Sequence, residues 1–145
     1  ILTCENCGNI DLISPCTLCN DNQRDKSELC VVEDVSDLWA FEKADLFAGH
    51  YHILGGTLSA INGVGPDDLK IKKLVDRAKS EEITEVILAL SSTVDGATTS
   101  HYVAECLKEC NVTISQLGHG LPIAGEIDYL DSGTLLAAFN SRTKI

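Results

Sequence analysis

From about residue 29 onward the apolar residues fall alternately into short continuous runs and helically spaced stripes. The run Leu29-Cys30-Val31-Val32-Glu33 has the character of a strand buried on both faces. Ser36 can cap a helix through about Phe47, with Leu38, Trp39, Phe41, Leu46 and Phe47 forming a broad apolar face. YHILGG, at 51–56, reads as a second strand stopped by two glycines, and 57–65 as a loop. Pro66 suits a first helical position, with Asp67 and Asp68 in the first turn complementing the helix dipole. Ile71, Leu74, Val75 and Ala78 continue that helix as one buried stripe. TEVILAL, at 84–90, reads as a third buried strand, and after a loop at 91–96 a helix presents Val103, Cys106, Leu107 and Cys110 on one face. TISQLG, at 113–118, is a weaker fourth strand, and Leu135, Leu136 and Phe139 suggest a short closing helix. Strand and helix in alternation predict an α/β fold, a parallel sheet with helices on both faces.

Residues 1–28 follow neither period. They are short, polar and punctuated by cysteines, so they can hardly build a core without a cross-link. Cys4, Cys7, Cys16 and Cys19 have the spacing C-x2-C-x8-C-x2-C. Each CxxC turn lets two thiolates reach one ion, and two such turns complete a tetrahedral S₄ set, which suits one structural Zn²⁺ and leaves no open position for a substrate water. A redox pair or an iron centre is the alternative use of these residue types. Gly8 after Cys7 and Asn20 after Cys19 tolerate the backbone that such knuckles demand. The expected organisation is a zinc-finger module at 1–28, a sheet domain at 29–125, and a C-terminal segment at 126–145 that serves as a subunit contact. Cys30, Cys106 and Cys110 read as small core residues. Seven cysteines, an odd number with four clustered, fit metal ligation in a reducing compartment better than a disulfide framework.

Charge narrows the function classes. A net charge of −11 argues against the whole chain as an electrostatic nucleic-acid binder. Five of the eleven basic residues, Lys70, Lys72, Lys73, Arg77 and Lys79, nevertheless fall within one ten-residue stretch. Lys70, Lys73 and Arg77, at i, i+3 and i+7, would share one helix face: a solvated back, or a contact for DNA or an acidic partner. No apolar run reaches the ~20 residues of a membrane helix and no signal-peptide pattern opens the chain, so a soluble, non-secreted protein is expected. The absence of Met, even at position 1, suggests a trimmed polypeptide. His50 and His52 would point to one side of a strand, without a third ligand nearby; His101 and His119 are isolated.

In parallel α/β sheets ligands bind beyond the carboxyl ends of the strands. Glu33-Asp34 stands at one such end, and Ser91-Ser92-Thr93-Val94-Asp95-Gly96-Ala97 at another. This arrangement resembles Toprim domains of topoisomerases, bacterial primases and certain nucleases, where a Glu after the first strand and a D-x-D-x-E-G-E stretch hold Mg²⁺ for phosphoryl transfer. Glu33 takes the first acid position, Ser91 and Thr93 the aspartate positions, and Asp95 and Ala97 the glutamate positions. The resemblance implies a Toprim fold whose catalytic metal site is dismantled, and hence no enzymatic activity.

A Cys₄ module followed by a non-catalytic Toprim domain is similar to the RecR family of bacterial recombination mediators. The phrases that carry the likeness are CVVED (30–34), GHYHILGGTLSAINGVGPDDLKI (49–71), the stretch at 93–96 and GLPIAGEIDYLDSGTL (120–135). The resemblance implies a cytoplasmic, nucleoid-associated scaffold with one structural zinc. It would form a homo-oligomer, a dimer or tetramer ring, and work with RecO-like and RecF-like proteins to load recombinase on gapped single-stranded DNA. Glu33, Asp95, Lys70, Lys73 and Arg77 are then candidate partner contacts. Family members usually open with a helix-hairpin-helix, which the three residues before Cys4 cannot encode, so DNA binding is expected of a full-length protein and is expected to be weak or absent in this chain. GLPIAGEID lacks a phosphate-loop spacing, and Glu126, Asp128 and Asp131 read as solvated acids. Two other classes stay open: a metal-dependent nuclease or primase-like enzyme using Glu33 and Asp95, and a zinc-ribbon adaptor with no link to DNA.

Overall fold

The computed structural model of the chain describes residues 1–45, 47–80, 82–91, 93–117, 139 and 142–144. Strands β1 (Leu2–Thr3) and β2 (Ile10–Asp11) form a small antiparallel ribbon in the cysteine-rich region. The main sheet has five strands in the order β4 (Gly49–Ile53), β3 (Asp25–Val32), β5 (Glu85–Ala89), β6 (Thr113–Gln116), β7 (Thr143–Lys144). β3 to β6 are parallel, and β7 closes the far edge antiparallel to β6. Helices α1 (Val35–Ala44), α2 (Ile71–Ala78) and α3 (Val94–Cys106) lie in the crossovers.

Because strand side chains alternate in direction, each central strand feeds two cores. Cys30 and Val32 of β3, with Ile87 and Ala89 of β5, pack towards α1 with Leu38, Phe41, Phe47 and Tyr51. Leu29 and Val31, with Val86 and Leu88, pack towards α2 and α3 with Leu74, Ala78, Val103 and Leu107. Helices therefore cover both faces of the sheet. Cys30 is fully buried and Cys110 nearly so, while Cys106 is half-buried against the second core. Burial pushes the Cys30 thiol far above its ordinary pKa, so it is an inert core residue. The chain enters the main sheet at β3, steps out to β4, returns across β3 to β5, and moves outward again to β6. The winding direction thus reverses between β3 and β5, which makes their carboxyl ends the topological switch point.

Several features differ from the reading by pattern, among them α3, which starts at Val94 inside the stretch read as a loop and ends at Cys106, before Cys110. β3 begins at Asp25, four residues before the apolar run, because its first half is polar and only partly covered. The cap of α1 is Asp34 rather than Ser36: its backbone is extended and its carboxylate accepts from Val35 N. The helix read from Pro66 onward is two pieces, a 3-10 turn over Pro66–Asp68 and α2 from Ile71. Between them Leu69 is extended, which buries its side chain and lets Lys70 N donate to Leu54 O at 3.1 Å. The two-residue β7 gave no pattern to read. Phe139 is helical and packs edge-on against Phe41 at 5.1 Å, whereas Leu135, Leu136, His119, Glu126, Asp128 and Asp131 lie outside the described residues.

Candidate metal centre and strand-end corner

Cys4, Cys7, Cys16 and Cys19 converge, with all four sulfurs within 4.8 Å of one another. The Cys4–Cys19 pair is 3.7 Å apart and the Cys7–Cys16 pair 3.6 Å. A Zn–S bond of ~2.3 Å places the sulfurs of a regular tetrahedron ~3.8 Å apart, which the Cys4–Cys19 and Cys7–Cys16 separations match. Backbone amides support the thiolates: Asn9 N donates to Cys7 Sγ at 3.4 Å and Cys16 N to Cys4 Sγ at 3.2 Å. The cluster could hold a metal ion. Its electrostatics also favour one. The Cys7 thiol is held down to about 5, chiefly by the Cys19 thiol donating to it, and with that charge in place Cys19 is pushed up; Cys16 is pushed up by burial first and by Cys7 next. The Cys7 thiolate forms readily while Cys16 and Cys19 resist, so ionising them together calls for a cation among them.

The cysteine module and Arg77 of α2 together close the outer edge of β4. Ile53 N donates to Cys7 O at 2.7 Å, Arg24 Nε to Gly49 O at 2.7 Å, and Arg77 Nη1 to Tyr51 O at 2.9 Å. These three residues of β4 alternate along the strand and present the same edge, which explains how an edge strand is buried throughout. Gly8 lies at the contact with φ of +89°, and a Cβ there would meet Ile53 Cβ at 3.2 Å and Lys70 Nζ at 3.4 Å. Trp39 Nε1 donates to Asn9 Oδ1 at 3.0 Å, tying the module to α1.

The basic face expected from Lys70, Lys73 and Arg77 does not form. Lys70 is the residue before α2 and Lys73 is exposed on it, whereas Arg77 turns inward. Its Nη1 reaches Asn6 O at 3.0 Å, between Cys4 and Cys7 in the chain, and His52 Nδ1 at 2.9 Å. Arginine can only donate, so His52 Nδ1 accepts and the ring proton is on Nε2, donated to Lys70 O at 2.9 Å. His52 is thereby a structural histidine. His50 is also buried, and its Nε2 has no hydrogen-bond partner among the described residues.

At the switch point, Glu33 Oε1 accepts from Ser91 N at 2.6 Å, and Gly55 N donates to Glu33 O at 2.9 Å. Ser91 Oγ and Thr93 Oγ1 share a hydrogen bond of 2.9 Å, and Thr93 Oγ1 caps α3 by accepting from Gly96 N at 3.0 Å. A Cβ at Gly96 would lie 2.1 Å from Ser91 O, so only glycine lets α3 start this close to the end of β5. Asp95 is exposed in the first turn of α3, with its side chain outside this network. Glu33, Ser91 and Thr93 are therefore bonded to one another across the crevice, whereas Asp95 and Ala97 are not part of that network. Among the described residues, the four cysteines are the only group of three or more potential ligands close enough to share a metal.

Arg24 was not singled out by pattern, yet it forms a two-pronged pair with Glu42 at 2.9 Å and donates to Phe47 O. Arg142, beside β7, likewise donates to Glu85 Oε2 at 3.2 Å, which also accepts from Ser115 Oγ. A lone arginine near a strand end carries no periodic signal; only the folded geometry shows its partner. Among the described residues no helix is long and apolar enough to cross a membrane.

Comparison with known proteins agrees with this geometry. A model described as Toprim domain matches residues 27–118, and one described as RecR, C-terminal matches 120–143. The recombination protein RecR of Bradyrhizobium sp. (strain ORS 278) is 56% identical over 143 residues, 99% of this chain and 72% of that protein. That of Paramagnetospirillum magneticum is 57% identical over 142 residues, 98% of this chain and 72% of that protein, and that of Maricaulis maris is 54% identical over 145, 100% and 72% respectively. A cysteine cluster able to hold a metal, a Toprim sheet without an acid cluster at its described strand ends, and these relatives converge, and the chain belongs to the RecR family of recombination proteins.

Proposed function

We propose that the chain is a non-enzymatic mediator of DNA recombination and repair. It would act in the cytoplasm as a homo-oligomeric clamp, working with RecO-like and RecF-like proteins to load recombinase on gapped single-stranded DNA. Cys4, Cys7, Cys16 and Cys19 would bind one Zn²⁺ that stiffens the entry to the Toprim domain. The observation that carries the binding-only reading is the corner at Glu33. Its carboxylate is engaged by Ser91 N, and Ser91 and Thr93 supply hydroxyls where Mg²⁺ chemistry needs carboxylates. Glu33 and Asp95, with exposed Lys70 and Lys73, would then be partner contacts, and DNA binding would rest with the full-length protein.

The test is light scattering on the zinc-loaded chain, alone and with a RecO-like protein, together with a Mg²⁺-dependent cleavage assay on DNA. Self-association, a complex with the RecO-like protein and no cleavage are expected. A strict monomer indifferent to that partner would sink the scaffold reading. Cleavage that disappears in Glu33→Gln would replace it with a Toprim enzyme.

A further inference from the structure

Arg77 is the residue whose surroundings the function above leaves unexplained. It belongs to α2, yet its guanidinium leaves the helix's solvent side and inserts between the cysteine module and β4. There Nη1 alone contacts Asn6 O, Tyr51 O and His52 Nδ1. Asn6 is inside the first CxxC turn, and Arg77 and Cys19 line the same cavity of about 350 Å³ with Asn6, His50 and Lys26. Cys19 is the most exposed of the four thiols; the other three are buried. Four thiolates around one Zn²⁺ leave about two negative charges on the loaded centre. A delocalised cation that cannot lose its proton is well suited to balance them at a partly buried site.

We infer that Arg77 is a positioning residue of the metal centre: its fixed positive charge offsets the thiolate cluster on the Cys19 side, and its hydrogen bond to Asn6 O locks the first CxxC turn against β4. This rests on the reading that the cluster binds Zn²⁺. The guanidinium's other contacts are neutral acceptors, a backbone carbonyl of β4 and an uncharged imidazole; Glu82 lines the same cavity, but among the described residues no ion pair joins it to Arg77. His52 in turn is fixed by Lys70 O, so one of the acceptors that Arg77 uses is itself held in place.

The test compares zinc-loaded wild type with R77Q, R77K and the exposed-position control K73Q. Two quantities are read: the rate of Zn²⁺ transfer to a chelator, and the pH at which half of the Zn²⁺ is lost. R77Q should release Zn²⁺ roughly ten- to a hundredfold faster, the range for losing an outer-shell partner. Its half-loss pH should move up, because protons compete better for thiolates that have lost a nearby cation. R77K keeps the charge without the fork, so it should recover much of the half-loss pH while still releasing faster than wild type; K73Q should match wild type. Wild-type-like values in R77Q would overturn the inference, as would an R77K half-loss pH no better than that of R77Q, which would mark a role in packing alone. Should R77Q fail to fold, wild type still decides the point. The Arg77 side-chain N–H protons should exchange slowly in the loaded protein and rapidly after chelation, and rapid exchange in the loaded protein would overturn it. Zinc content of wild type is measured first. No bound Zn²⁺ would overturn the metal reading itself, whereas one ion per chain with unchanged R77Q kinetics would overturn only the part given to Arg77.

Discussion

His52 shows how completely one side chain can be committed by its neighbours. It is fully buried in β4, accepts a hydrogen bond from Arg77 at Nδ1 and donates one to Lys70 O from Nε2, so both ring nitrogens are satisfied only in the neutral form. Burial, with the adjacent Arg77 charge, pulls its pKa from 6.5 to about 3. The unfolded chain takes up the proton first, so the stability tied to neutral His52 is complete above about pH 6.5 and is lost as pH falls towards 3, by at most about 1.4 kcal/mol per pH unit. In NMR titration of the native protein the His52 ring resonance should stay flat from pH 8 to 5. A midpoint near the ordinary histidine value would show that the Arg77–His52–Lys70 chain is not formed. The pKa of His50, two residues earlier on the same strand, is also lowered by burial, but among the described residues its Nε2 has no such partner.

At the scale of elements, the decisive feature is how β4 survives as an edge. Arg24 donates to Gly49 O and Phe47 O and grips Glu42 of α1, while Tyr51 OH donates to Glu42 Oε2 at 2.6 Å. Arg24→Ala removes the donor for two partly buried carbonyls and leaves Glu42 with only the tyrosine, so it should lower unfolding free energy by about 2–4 kcal/mol. Tyr51→Phe keeps the ring packing and should cost about 1–2 kcal/mol. Urea denaturation reads both, and an Arg24→Ala midpoint indistinguishable from wild type would remove the edge-closing role. None of this is visible in the sequence, although much else is. The central strands were legible because two-sided burial writes an unbroken apolar run, as at Leu29–Val32 and Val86–Ala89. The cysteine cluster was legible because metal-ligand spacing is local. The break at Leu69 and Lys70 was not, since its causes, Leu54 and His52, are a dozen or more residues away in the chain. Nor was the inward turn of Arg77: helical spacing places a residue on a face but does not say that a second module covers that face. Glu33 was correctly placed at a strand end, but its bond to Ser91 depends on the crossover that brings β5 beside β3.

At the scale of the whole molecule, the cysteine module and the sheet are one structural argument. A metal-sized cluster of four sulfurs shapes residues 4–19, and that shaped segment supplies Cys7 O to Ile53 N and Asn6 O to Arg77, holding two of the three groups that close the β4 edge. The far edge is closed differently, by β7 returning antiparallel to β6 with Arg142 pinned to Glu85. Sheet closure is therefore chain-encoded at one side and, under the zinc reading, metal-dependent at the other. A short segment like 1–24 has too little apolar surface to hold that shape on its own, so removing the ion should loosen it while the two cores around β3 and β5 persist. The expected outcome of chelation is graded: amide exchange should accelerate at residues 4–19 and at the outward-facing amide of Ile53, while Val31, Ile87 and Leu88 in the sheet centre keep their protection. An uncovered β4 edge should also favour strand pairing between chains, visible as chelator-induced aggregation that Zn²⁺ reverses only before aggregates grow. Exchange that rises equally across β4 and β5 would mean that the metal holds the entire fold, and unchanged exchange at Ile53 would mean that the module's grip on the sheet does not depend on it.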